Sequence, residues 1–119
     1  MDDLSILIKT NITWLSFVEL FAKLIGSKGM DKTNDMGSLH LWHLLDFDLI
    51  AIYEPNLDDD QGIPFSSYNF LLDFVLTDCR DLELNKQFCY TLAKLLMVKI
   101  KREISQDTIL VKNLQRIID

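Results

Sequence analysis

Two stretches of this chain, Phe47 to Tyr53 and Tyr68 to Thr77, alternate with a period of two, and only an extended strand sends successive side chains to opposite faces. In the first, Phe47, Leu49, Ala51 and Tyr53 share one face, while Asp46, Asp48, Ile50, Ile52 and Glu54 share the other. In the second, Phe70, Leu72, Phe74 and Leu76 lie opposite Asn69, Leu71, Asp73, Val75 and Thr77. Both strands carry apolar groups on both faces, so each face needs cover. The connection between them, Glu54 to Tyr68, is polar, holds two prolines and a glycine, and predicts a loop joining an antiparallel pair.

Helices are predicted on either side of this pair. Trp14, Phe17, Val18, Phe21, Leu24 and Ile25 recur at three- and four-residue spacings, after Thr10-Asn-Ile-Thr13 has supplied capping side chains and before Gly26 ends the run. A second helix is expected to start near Asp81 or Asn85 and run to about Glu103, burying Cys89, Leu92, Ala93, Leu96 and Ile100. Thr77 to Asp81 reads as a turn. Apolar runs at Ser5–Lys9 and Thr108–Asn113 are of strand length. Strand, helix, strand, strand, helix, strand is the split β-α-β order of ferredoxin-like α+β folds, with an antiparallel sheet and both main helices on one face.

Gly26 to Ser38 has no apolar period and reads as loop. Leu39 to Leu45 admits two forms: a short extra helix carrying Leu41, Trp42 and Leu45, which is preferred, or an early strand. That segment or a partner would cover Ile50, Ile52, Leu71 and Val75 on the face away from the helices. At 119 residues, without repeats or linkers, residues 1–119 form a single domain.

Charge narrows the function. The net charge of −6 opposes binding to nucleic acid or to anionic membranes. No apolar run reaches the roughly 18–20 residues of a membrane span. The opening Met-Asp-Asp-Leu lacks the basic region and apolar core of a secretion signal, and Cys79 and Cys89 form no metal motif, so a cytoplasmic location with both thiols free is expected. From Asn85 onward seven bases face three acids, either as a solvated helix face or as a match for the acidic middle of this or another copy.

Catalytic and metal chemistry find little support. His40 and His43 with Asp46 and Asp48 imitate a metal site, but structural zinc sites seldom take all ligands from nine consecutive residues, and on a strand the two imidazoles would diverge. Asp58-Asp-Asp60-Gln-Gly62 lacks the alternating ligands and distal Glu of a calcium loop. Neither cysteine has a nucleophile signature, and the glycines build no phosphate cradle. No enzyme activity, cofactor or metal is expected.

The acidic middle remains. Asp46 to Glu83 holds ten acids and one base, Arg80, and Glu54–Tyr68 interleaves Leu57, Ile63, Phe65 and Tyr68 with Asp58, Asp59 and Asp60. Such a loop is either a solubilising connection or a protein-binding site in which apolar anchors are rimmed by charge. Partner binding is expected at Glu54, Leu57, Asp58, Asp59, Asp60, Phe65, Tyr68 and Asp73, chosen by charge and expected exposure.

Strand, acidic loop, Gly62-Ile-Pro-Phe-Ser-Ser-Tyr68 and strand, followed by an amphipathic helix and Ile109-Leu-Val-Lys-Asn-Leu-Gln-Arg-Ile-Ile118, resembles the immunity proteins of bacterial contact-dependent growth-inhibition systems. The resemblance spans Phe47 to Asp119. It implies a small cytoplasmic protein that binds the C-terminal domain of a cognate toxin, often a basic nuclease, and acts as a monomer or weak homodimer. The alternative is a homo-oligomeric ferredoxin-like sensory or regulatory domain that binds a small ligand.

Overall fold

The computed structural model describes residues 3–44, 46–77 and 82–119. The Asp78–Asp81 part of the expected turn, Cys79, Arg80 and Leu45 fall outside the described residues. Among the described residues the architecture is α+β, with seven antiparallel strands and two α-helices. The strands are β1 (Leu4–Ile8), β2 (Met30–Asp31), β3 (Leu39–His43), β4 (Phe47–Tyr53), β5 (Phe70–Leu76), β6 (Thr108–Lys112) and β7 (Arg116–Ile117), and the helices are α1 (Trp14–Ile25) and α2 (Leu82–Glu103). Across the sheet the strands run β2-β3-β4-β5-β1-β6-β7.

Local chemistry sets the ends of α1. Thr13 is its N-cap, with Oγ1 accepting from the Ser16 amide at 3.2 Å. At the other end Gly26 takes the left-handed conformation, φ 82°, and its N–H donates to the Ala22 carbonyl. Between the caps, Phe17 and Phe21 are buried. Phe17 stacks on Phe70 of β5 at 4.3 Å between ring centroids, and Phe21 meets Trp42 of β3 edge-on at 5.1 Å.

The expected short helix at Leu39–Leu45 is instead strand β3. His40 and Trp42 are buried, Leu39 and Leu41 are half-buried, and Leu41 pairs with Ile50 of β4. A helix would have set Leu41 and Trp42 on one side as neighbours. Pairing along β4 uses the whole backbone ladder, and the Trp42 indole N–H reaches the Ser27 carbonyl at 2.9 Å. Tertiary pairing overrides a weak local preference. The preceding loop also contains a short paired strand, β2, antiparallel to β3. At the C-terminus, Asn113 and Leu114 adopt positive φ, and the chain turns back as β7 against β6, an extra strand that the sequence pattern did not show.

The core has two parts. The larger contains Phe17 and Phe21 of α1, Cys89, Ala93, Leu96, Met97 and Ile100 of α2, and strand residues including Ile6, Ile8, Leu49, Leu72 and Leu110. The helical residues expected in the core fall here, with Leu92 half-buried against it and Met97 added. The smaller part uses the alternate strand positions Leu7, Leu71 and Val111, closed by Phe65 from the loop between β4 and β5. β1 is central, between β5 and β6, so Ser5 to Ile8 are buried on both faces.

Candidate functional site: the acidic loop between strands β4 and β5

The loop leaves β4 at Glu54, whose backbone takes φ 50°, and its apolar residues turn inward. Phe65 opens a single 3-10 turn, Phe65–Ser67, and is 1% exposed against Leu7, Leu71 and Val111. Leu57, Ile63 and Tyr68 are half-buried around the same cluster. The sequence pattern cast Phe65 as an exposed anchor for a partner, and this is corrected: its ring closes the second core. The burden of covering Ile52 and Leu71 was placed on Leu39–Leu45 or a partner, yet the loop itself covers them, because strands with apolar groups on both faces need a lid and the adjacent loop reaches it first.

With its apolar side committed, the loop turns its carboxylates outward. Glu54, Asp58 and Asp59 are exposed and Asp60 is half-buried. Asp60 and Ile63 exchange backbone hydrogen bonds of 3.1 and 2.8 Å around Gln61 and Gly62, both at positive φ, the mirror-image turn that glycine accommodates without a steric penalty. Asp59 Oδ1 accepts from the Ser66 amide at 3.0 Å and from the Ser66 hydroxyl at 2.7 Å. Those two bonds hold the Asp59 carboxyl below the usual carboxylate range. Glu54, as hydrogen-bond acceptor and neighbouring charge, raises the Tyr53 phenol, whereas burial, helped by Asp107, raises that of Tyr68.

Asp73 stands apart from the loop. On β5 it faces Ser5 across the β1 pairing and accepts from the Ser5 hydroxyl at 3.1 Å. Burial raises its pKa, the cost of leaving water outweighing that hydrogen bond. It borders the part of the second face the loop leaves open, beside half-buried Ile50 and Asp48 and next to Val75, which is 40% exposed. The structure therefore groups Glu54, Leu57, Asp58, Asp59, Asp60, Phe65 and Tyr68 in one loop, and leaves Asp73 on the sheet.

The two histidines go separate ways along β3. His40 is buried with Nε2 2.7 Å from the Lys28 carbonyl oxygen, while exposed His43 pairs through Nδ1 with Asp48 Oδ1 at 2.7 Å on the neighbouring strand. Among the described residues no group of three or more His, Cys, Asp or Glu is placed to hold a metal ion. Replacing His40 and His43 by alanine is expected to leave the zinc content of the purified protein unchanged at well below one per chain, as elemental analysis would show. Cys89 is buried, and burial pushes its thiol up to about 11, so it stays protonated and unreactive near neutral pH.

One surface escaped the sequence reading. The outer side of α2, away from its buried stripe, exposes Leu84, Phe88, Leu95 and Val98 by 54–64%. Their spacing was visible in the sequence, but a helix with apolar residues on two sides shows no single amphipathic phase. No described helix is long and apolar enough to cross a membrane. Comparison of the chain with protein-family models, with curated proteins and with solved structures finds no match.

Proposed function

We propose that this protein is an immunity protein, binding the C-terminal domain of a cognate toxin stoichiometrically through its acidic loop and carrying out no reaction itself. One observation supports this best: the carboxylates of Asp58 and Asp59 stand exposed on a loop whose underside is locked into the core by Phe65. A loop already ordered before encounter loses little conformational entropy on binding, and its negative field speeds association with a basic surface. Nuclease sites are basic because they hold phosphate, so a carboxylate cluster can occupy the same field. The kernel β4-β5-β1-β6 with its two helical crossovers fits the ferredoxin-like split β-α-β arrangement, to which β2, β3 and β7 add at the edges. The protein would act in the cytoplasm, where a toxin domain delivered from outside reaches its target.

The test begins with co-purification of the protein with the C-terminal domain of the toxin encoded immediately upstream. Asp58→Asn/Asp59→Asn/Asp60→Asn then removes three charges while leaving an oxygen at position 59 to accept from Ser66. Stopped-flow association is expected to slow by about tenfold at low ionic strength, with the difference shrinking as salt screens the field. Equal rates for mutant and parent at low salt would reduce the loop to a solubilising connection.

A further inference from the structure

Between the first half of α2 and the sheet lies a cavity of about 350 Å³, a size typical of small-molecule sites. Part of its wall is apolar: Leu4, Phe74, Leu76, Cys89 and Ile118. Tyr90 and three bases complete it: Lys86 of α2, Lys112 of β6 and Arg116 of β7. Among the described residues no carboxylate lines this cavity, although the net charge of the chain is −6. Lys112 and Arg116 stand directly opposite each other in the β6–β7 ladder, where like charges repel. Half-buried Lys86 and exposed Arg116 have no carboxylate within ion-pair distance among the described residues. A like-charge ladder pair with a third base beside it is a cost, and an anion held among the three turns that repulsion into attraction.

We propose that this cavity is a binding site for a small carboxylate bearing an apolar chain, of the medium-chain fatty acid type. The bases select the head group and the apolar wall selects the body. Arg116 presents a planar fork that matches a carboxylate, and Lys86 adds a point charge from the helix. Leu4, Phe74, Leu76 and Ile118 take the chain out of water. An inorganic anion would satisfy the bases and leave that wall wet, whereas a neutral chain would cover the wall and leave the bases repelling one another. The cavity lies on the side of the sheet that meets α2, at the Leu76 end of β5. The acidic loop covers the opposite side and enters β5 at Phe70. A ligand in the cavity would therefore leave the loop free to meet a toxin.

Sodium octanoate titrated into the isotope-labelled whole protein should shift the amide resonances of Leu76, Lys86, Tyr90 and Arg116, with a dissociation constant on the order of 100 μM. Octan-1-ol, with the same chain and no charge, should bind at least about tenfold more weakly, and acetate or phosphate weaker still. Lys86→Gln/Arg116→Gln should weaken octanoate by about tenfold, while Lys9→Gln/Lys32→Gln, which removes two charges elsewhere, should bind it as the parent does. The Lys86→Gln/Arg116→Gln protein should keep or raise its urea midpoint, because a like-charge pair is gone, so lost binding is not lost folding. No shifts at about 5 mM octanoate, equal binding of octan-1-ol, or equal binding by Lys86→Gln/Arg116→Gln overturns the proposal. Shifts confined to Leu24, Leu44 and Leu92, in the cleft between α1 and α2, overturn it as well. Phosphate bound as tightly as octanoate would mean an adventitious ion only, and the carboxylate site fails.

Discussion

Replacing Phe65 by alanine is expected to cost about 3–5 kcal/mol, as removal of a fully buried aromatic ring does, and to slow toxin association at the same time. The ring is 1% exposed among Leu7, Leu71 and Val111, and Leu57, Ile63 and Tyr68 pack around it. Its loss leaves a cavity beneath the loop and frees Ser66, the next residue, from the position in which it donates twice to Asp59. The carboxylates would then sample many arrangements, and binding would have to order them. Urea unfolding gives the stability change, and binding measured at a temperature where the variant is fully folded gives the second effect. A Phe65→Leu variant, which keeps most of the apolar volume, should recover most of the stability. If Phe65→Ala loses stability yet associates with the toxin at the parent rate, the loop does not act through preorganisation.

Phe70→Ala should be comparably damaging, by about 3–5 kcal/mol, and without any specific effect on association. Phe70 is fully buried on β5 and is a hub of aromatic contacts: it stacks on Phe17 at 4.3 Å and lies 5.1 Å from Tyr53 and 6.3 Å from Trp14. The substitution removes the burial of one ring and the pairing energy of its neighbours together. Set against a domain stability of roughly 5–15 kcal/mol, that loss leaves a protein that is partly unfolded in use. Val75→Ala, on the same strand but at a position 40% exposed, should change stability by no more than about 0.5 kcal/mol. Equal effects at the two positions would mean that the stacked rings do not organise the core.

The difference between these two phenylalanines shows what could be known in advance. Phe70 belongs to an alternating strand, and alternation is a property of the sequence itself: side chains two apart share a face whatever the strand pairs with. For the same reason Phe47 to Tyr53 emerged as a strand with the bounds expected for it, and the three- and four-residue spacings of α1 and of the buried side of α2 placed Phe17, Phe21, Cys89, Ala93 and Leu96 in the core. Thr13 and Gly26 ended α1 through side-chain and backbone chemistry confined to a few neighbouring residues. The charge of the Asp58–Asp60 loop was equally legible, being a matter of composition.

Phe65 lies in a loop with no period, and no local pattern around it says whether its ring meets water or Leu7. Three strands had first to assemble and present Leu7, Leu71 and Val111 on one patch before burial of the ring became favourable. The same holds for Leu39–His43, where local patterning allowed helix or strand and the free edge of β4 decided for strand, and for Asp73, which the sequence marks only as a charge and the sheet half-buries beside Ser5. It holds too for the exposed outer side of α2, whose apolar residues could have been core until the sheet took the opposite side of the helix. What the sequence by itself determined were periodicities, caps and net charge, which depend on neighbours along the chain. Which apolar residues close a core and which face outward was decided by surfaces that exist only once strands far apart in sequence have paired.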